Sequence, residues 1–203
     1  EIIAVSIGPA KSAETVRYAI AMGATRGVHI VADDELPPLV VAKILKAVQD
    51  KEKADVILMG KQAIDDDAGQ TPQLLATLSG YGQATYACKI DFDGDSALLV
   101  QREVESGIET VKVNLPAVVS CDLRLNQPRF ATLQNIMKAK KAPFESIKIA
   151  DLGVSTESGL KMVGVAEPPV RKAGIMVSSV DELLGKLKSE AKVLWRPKLR
   201  LKS

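Results

Sequence analysis

The side chains best suited to chemistry lie together in the segment from Gly60 to Thr71, GKQAIDDDAGQT, with one lysine, three successive aspartates and a Gly-Gln-Thr ending. The run before it, residues 55–59 (DVILM), is apolar on both faces, as in a strand covered above and below in a parallel sheet. The residues after it have helical spacing. A loop of free backbone N–H groups that opens a helix at the carboxyl end of such a strand holds phosphate against the positive helix end. Gly69, Gln70 and Thr71 are the expected donors, with the Thr71 hydroxyl beside them, and a nucleotide is the expected ligand. Asp65, Asp66 and Asp67 suit a hard cation by type, but three consecutive side chains cannot all aim at one ion. They are read as capping, outward-turned or paired with Lys61, and no metal site is expected. No nucleophile–base constellation occurs anywhere in the chain.

The elements that must position this loop follow from periodicity. Residues 1–7 (EIIAVSI) read as a buried strand, Gly8-Pro9-Ala10 as a turn, Ser12 as a helix N-cap, and VRYAIAMGA as a helix stopping near Gly23. Residues 28–31 form a second strand, residues 39–50 a helix with one broad apolar face, and residues 71–78 another. Alternation of strand and helix over the first eighty residues implies parallel strands joined by right-handed crossovers. Residues 84–92, 97–104 and 109–113 instead alternate polar with apolar, separated by Asp93-Gly94-Asp95 and Glu105-Ser106-Gly107, which are hairpin turn signals. Residues 116–120 return to a fully apolar strand. The predicted fold is α/β, a doubly wound, mostly parallel sheet of the adenine-nucleotide α-hydrolase-like type, with an antiparallel hairpin and a C-terminal extended arm. Residues 1–121 form the nucleotide-binding domain. The period is then lost until a short helix at residues 180–189, so residues 122–190 read as an arm carrying a recognition loop, and residues 191–203 as a disordered tail, with four positive charges in residues 195–202.

Composition narrows the function classes. The 203 residues suffice for one α/β domain plus an appended segment. With 27 Lys and Arg against 25 Asp and Glu, there is no global field to recruit nucleic acid or an anionic membrane. No apolar run approaches the ~20 residues that cross a bilayer. Cys88 and Cys121 suggest no disulfide framework, which fits a reducing compartment. His29, the single histidine, is read as structural, and Arg102 and Glu103 as interface or exposed charges.

Four blocks, EIIAVSIGPA…TVRYAIAMGA, GKQAIDDDAGQT, VQREVESGIETVKVNLPAVVSCDLRLN and PRFATLQNIMKAKK, resemble the β subunit of the electron-transfer flavoprotein in order and spacing, from Glu1 to about Lys188. The resemblance implies a heterodimer in which this subunit carries AMP, the α subunit holds most contacts to a shared FAD, and no substrate chemistry is done. Electrons pass from acyl-CoA and related dehydrogenases to a membrane-bound quinone oxidoreductase. It implies an AMP site at Lys61, Gln62, Ala63, Ile64, Asp65, Asp66, Asp67, Ala68, Gly69, Gln70 and Thr71, with Ile7 at a strand end. It also implies a partner-recognition patch at Leu133, Ile136, Met137, Lys138 and Lys141, an exposed apolar anchor ringed by charges that speed encounter. The carrier of fatty-acid oxidation, which this form resembles, implies the mitochondrial matrix, with a bacterial cytoplasm as the alternative.

The family's first strand has no counterpart here; a chain starting at Glu1 would expose two strand edges, so the sequence reads as a fragment of a longer product. Pro72, Ser106 and Gln127 also depart from the family pattern, Pro72 harmlessly in a first helical turn. Two other readings stay open: a stand-alone adenine-nucleotide-binding stress-type protein, and a β-like subunit of a bifurcating flavoprotein with a second FAD in place of AMP.

Overall fold

The strand and helix periods of the first eighty residues become a βαβαβα run in the computed structural model, which describes residues 1–33, 36–64, 67–157, 159 and 163–194. By contacts the chain divides into two units, residues 1–161 and 162–203. In the first, β1 (Ile3–Gly8) leads through a short 3-10 turn into α1 (Ala13–Ala21), then β2 (Arg26–Val31), α2 (Pro38–Glu52), β3 (Val56–Gly60) and α3 (Thr71–Ser79). Ser12 precedes α1 as expected, but its side chain makes no capping bond. Next come the long strand β4 (Gly82–Asp93), β5 (Ala97–Val104), β6 (Gly107–Asn114) and β7 (Ala117–Cys121). The hairpin turns fall where Gly94 and Gly107 take positive φ.

The fold is α/β and doubly wound, with its parallel strands divided between two sheets. One, ordered β1-β2-β8 with β8 at Phe144–Lys148, is wholly parallel; the other, ordered β3-β7-β4-β5-β6, joins a parallel part to an antiparallel meander. Helix α2 links them. Val40, Ile44 and Val48 pack with Val28 and Ile30 of β2, whereas Ala42 packs with Leu75 and Ala76 of α3 and Val118 of β7. Close approach of α1 to β2 requires Gly27, since a Cβ there would lie 2.4 Å from Val16 Cγ1.

Two sequence expectations change. The stretch after residue 121, read as lacking period until residue 180, contains α4 (Leu133–Ala139) and β8 (Phe144–Lys148), and β8 completes the first sheet beside β2. Its apolar positions are too few for a core of their own, but Ala139, Ile136 and Phe144 complete one with Val16 and Ile20 of α1. The strands read as fully covered, at residues 1–7 and 55–59, are also more open than expected: Val5 is 37% and Leu58 59% exposed. Among the described residues each has a single neighbour, β2 for β1 and β7 for β3. Their facing sides share a groove of about 160 Å³ lined also by Leu45 and Val48 of α2.

In the second unit, α5 (Val180–Ser189) starts at a reciprocal cap in which Ser179 Oγ accepts from Glu182 N while the Glu182 carboxylate accepts from Ser178. Val163, Val165, Val170 and Met176 are exposed before it. The tail expected at residues 191–203 lies, from residue 195 on, outside the described residues.

Candidate functional site

The segment from Gly60 to Thr71 joins the carboxyl end of β3 to the start of α3, as its sequence predicted. Gly60 ends the strand, Gly69 takes φ +59°, where any side chain would be strained, and Pro72 occupies the first turn of α3, where its missing N–H costs nothing. A cleft of about 320 Å³ opens here. Its walls are Pro38 and Val41 of α2, Met59 and Gly60 of β3, and the loop residues Lys61, Gln62, Ala63, Ala68, Gly69, Gln70 and Thr71. Among the described residues no acceptor is recorded for the N–H groups of Gly69, Gln70 and Thr71, which stand at the positive end of α3. Donors of this kind hold anionic oxygens.

Lys61 and Asp122 were not linked by the sequence reading, yet they meet. β3 and β7 run parallel with Gly60 opposite Cys121, so the residues that follow lie side by side. Lys61 Nζ donates to Asp122 Oδ2 at 2.6 Å and lies 5.9 Å from the centre of the Tyr86 ring. Asp122, only 8% exposed, also accepts at Oδ1 from the backbone N–H and the Nε of Arg124, both at 3.1 Å. Lys61 first, then the two Arg124 donors, hold the Asp122 carboxyl well below the usual carboxylate range. The signal in the sequence was the pair of apolar runs, residues 55–59 and 116–120, each ending in a charged residue at the same distance.

Asp67 does not take Lys61; the Gln62 amide donates both to its carbonyl, at 3.1 Å, and to its carboxylate. That clasp closes the loop without charge from outside. Ile64 is almost wholly exposed and does not line the cleft. Asp65 and Asp66 lie outside the described residues. Ile7 sits at the carboxyl end of β1 opposite Ile30, against the β2–α2 core and not among the cleft residues.

The residues expected to recognise a partner lie on α4 and just after it. Thr132 Oγ1 accepts from Asn135 N at 3.3 Å and starts the helix. Leu133 is 77% exposed, Met137 is exposed beside it, and Ile136 turns inward against Val16, Ile20 and Ala139. Lys138 and Lys141 are exposed. Arg17, which the sequence did not single out, anchors the helix end: its guanidinium donates to the carbonyls of Ala139 and Ala142 at 2.8 and 3.0 Å and covers the Phe144 ring at 4.2 Å. His29 is buried in β2, its Nε2 3.1 Å from the Gly8 carbonyl, in keeping with a structural part. Both cysteines are free, and burial pushes the Cys121 thiol up.

Residues 1–152 match the family model of the electron transfer flavoprotein domain. The chain is 52% identical over 195 residues to the mitochondrial electron transfer flavoprotein subunit beta of Arabidopsis thaliana, covering 96% of this chain and 78% of that protein. It is 52% identical over 194 residues to the electron transfer flavoprotein subunit beta of Bradyrhizobium diazoefficiens, at the same coverage. Against the human electron transfer flavoprotein subunit beta, the identity is 49% over 197 residues, with 95% and 77% covered. With about half of its aligned residues identical to each of these plant, bacterial and human relatives in turn, this chain belongs to the electron transfer flavoprotein family, among its β subunits.

Proposed function

We propose that this β subunit binds AMP in the cleft between α2, the end of β3 and the start of α3, as a structural nucleotide in a heterodimer that carries electrons on FAD. The observation that carries the ligand is the row of backbone donors at Gly69, Gln70 and Thr71, opening onto a cleft with room for a small ligand. These residues fit a phosphate group, and the apolar wall of Pro38, Val41 and Met59 fits a flat base. Lys61 adds positive potential while its own charge is shared with Asp122. Of the remaining assigned positions, Gln62, Ala63 and Ala68 line the same cleft, and the Gln62 amide clasps Asp67.

Family membership supports an α subunit as partner and a carrier without substrate chemistry, and argues against the stand-alone nucleotide binder. FAD, held mainly by the α subunit, supplies the electron-accepting ring. This chain's part is to assemble the dimer and to present Leu133, Met137, Lys138 and Lys141 to acyl-CoA and related dehydrogenases, with Ile136 seating the helix beneath them and a membrane-bound quinone oxidoreductase as the acceptor. An exposed anchor amid positive charge suits brief, fast contacts. No described helix is long and apolar enough to cross a membrane, and relatives named mitochondrial alongside a bacterial one support the mitochondrial matrix or a bacterial cytoplasm.

The test is co-expression of the full-length chain with an α subunit and mass analysis of the nucleotides released on denaturation. AMP at one per heterodimer, beside one FAD, is expected. Two FAD and no AMP would assign the cleft to a second flavin instead. Thr71→Val should weaken AMP retention by roughly fivefold, the worth of about one hydrogen bond, and slow dimer assembly; undiminished AMP in the variant would remove Thr71 from the site.

A further inference from the structure

Strand β4 carries an irregularity beside the cleft. Between Ala84, paired with Val119, and Ala87, paired with Cys121, two residues of β4, Thr85 and Tyr86, stand opposite the single residue Ser120 of β7. A second register shift follows on the β5 side, between Ala87 and Lys89. A bulge of this kind suits a glycine at its left-handed position. Here the position is a tyrosine, with φ +58°. A bulky side chain in the left-handed region is an outlier that persists only where its surroundings over-determine it, and such outliers gather at functional sites.

The surroundings of Tyr86 are specific. Its N–H donates to the buried Ser120 Oγ at 2.9 Å, which fixes the backbone. Its ring lies beneath Lys61 Nζ, 5.9 Å from the centroid. Its hydroxyl reaches the Gly69 turn: a Cβ placed on Gly69 would be 3.6 Å from Tyr86 Oη and 3.6 Å from Gln62 Oε1. One side chain thus lies beside both ends of the loop, the lysine that opens it and the glycine that leads into α3. The Lys61–Asp122 ion pair ties the same region to the end of β7.

We infer that Tyr86 is a positioning residue for the loop of residues 61–71, its strained backbone aiming the ring between Lys61 and Gly69 so that the donors at residues 69–71 face the cleft. The ligand half of this inference rests on the AMP reading above. The loop half does not. Asparagine accepts positive φ without strain but has no ring, while phenylalanine keeps the ring and loses only the hydroxyl.

The experiment compares wild type, Tyr86→Asn and Tyr86→Phe in the full-length chain co-purified with its α subunit, by amide hydrogen exchange, thermal unfolding and mass analysis of released AMP. Tyr86→Asn should speed exchange in residues 61–71 by about tenfold, the loss of one charge-linked contact, and raise AMP dissociation by a similar factor. Its unfolding temperature should stay level or rise as the backbone relaxes. Tyr86→Phe, which keeps the ring beneath Lys61 but loses the hydroxyl beside Gly69, should fall between the two. Unchanged exchange in the loop of Tyr86→Asn overturns the inference, and so does faster exchange spread equally through β4 and β7, which marks mere packing. A wild-type complex that releases no adenylate defeats the AMP reading, and loop exchange in the three proteins still decides the part of Tyr86.

Discussion

Asp122 shows how a single side chain comes to be poised by its neighbours. Its folded value lies below the ordinary one, so the stability it contributes is fully present above the unfolded carboxylate value, about 3.9, and is lost as pH falls through the depressed folded value. Asp122→Asn should therefore be less stable than wild type at neutral pH, and the gap in unfolding temperature should close only in strong acid. A gap that closes already near pH 5 would mean that Lys61 and Arg124 do not hold the carboxylate. This residue escaped the sequence because its partner lies sixty-one positions away, and only the parallel register of β3 and β7 brings the two together. The donors at Gly69, Gln70 and Thr71 were legible, since a strand, a glycine-bearing loop and a helix start in immediate succession define them locally.

Among the elements, helix α4 is the instructive case. Its seven residues are too few to be stable alone, and they are held by the Thr132 cap, by Ile136 and Ala139 against α1, and by Arg17 on the terminal carbonyls. Leu133, left outside that packing, should matter for docking and not for folding. Leu133→Ala should lower kcat/KM with a dehydrogenase on the order of tenfold, as for an interface anchor, and change stability by less than about 0.5 kcal/mol. FAD content should not move; its loss would make the loop structural. Reversing Lys138 and Lys141 to Glu should slow association chiefly at low salt, and an effect independent of salt would rule out steering. The exposed residues of this patch could be read from the sequence, whereas α4 and β8 could not. Short elements carry little period, and β8 exists because β2 offers it an edge.

At the scale of the molecule, the hydrophobic pattern predicted the alternation of strand and helix and the family resemblance predicted two open strand edges, but neither predicted the division of the strands between two sheets. Residues 1–7 and 55–59 are apolar enough for strands covered on both faces. In the fold each pairs on one side only, and a shared groove floored by α2 separates them. Their unpaired amides should exchange faster than those of β2 and β7, which have neighbours on both sides. Equal protection in hydrogen exchange would show that the two edges are covered in solution.

A backbone ladder with bare rungs on two rails is also a template. An extended polypeptide laid between them would gain partners on both flanks at once, together with a greasy seat made by Ile3, Val5, Leu45 and Leu58.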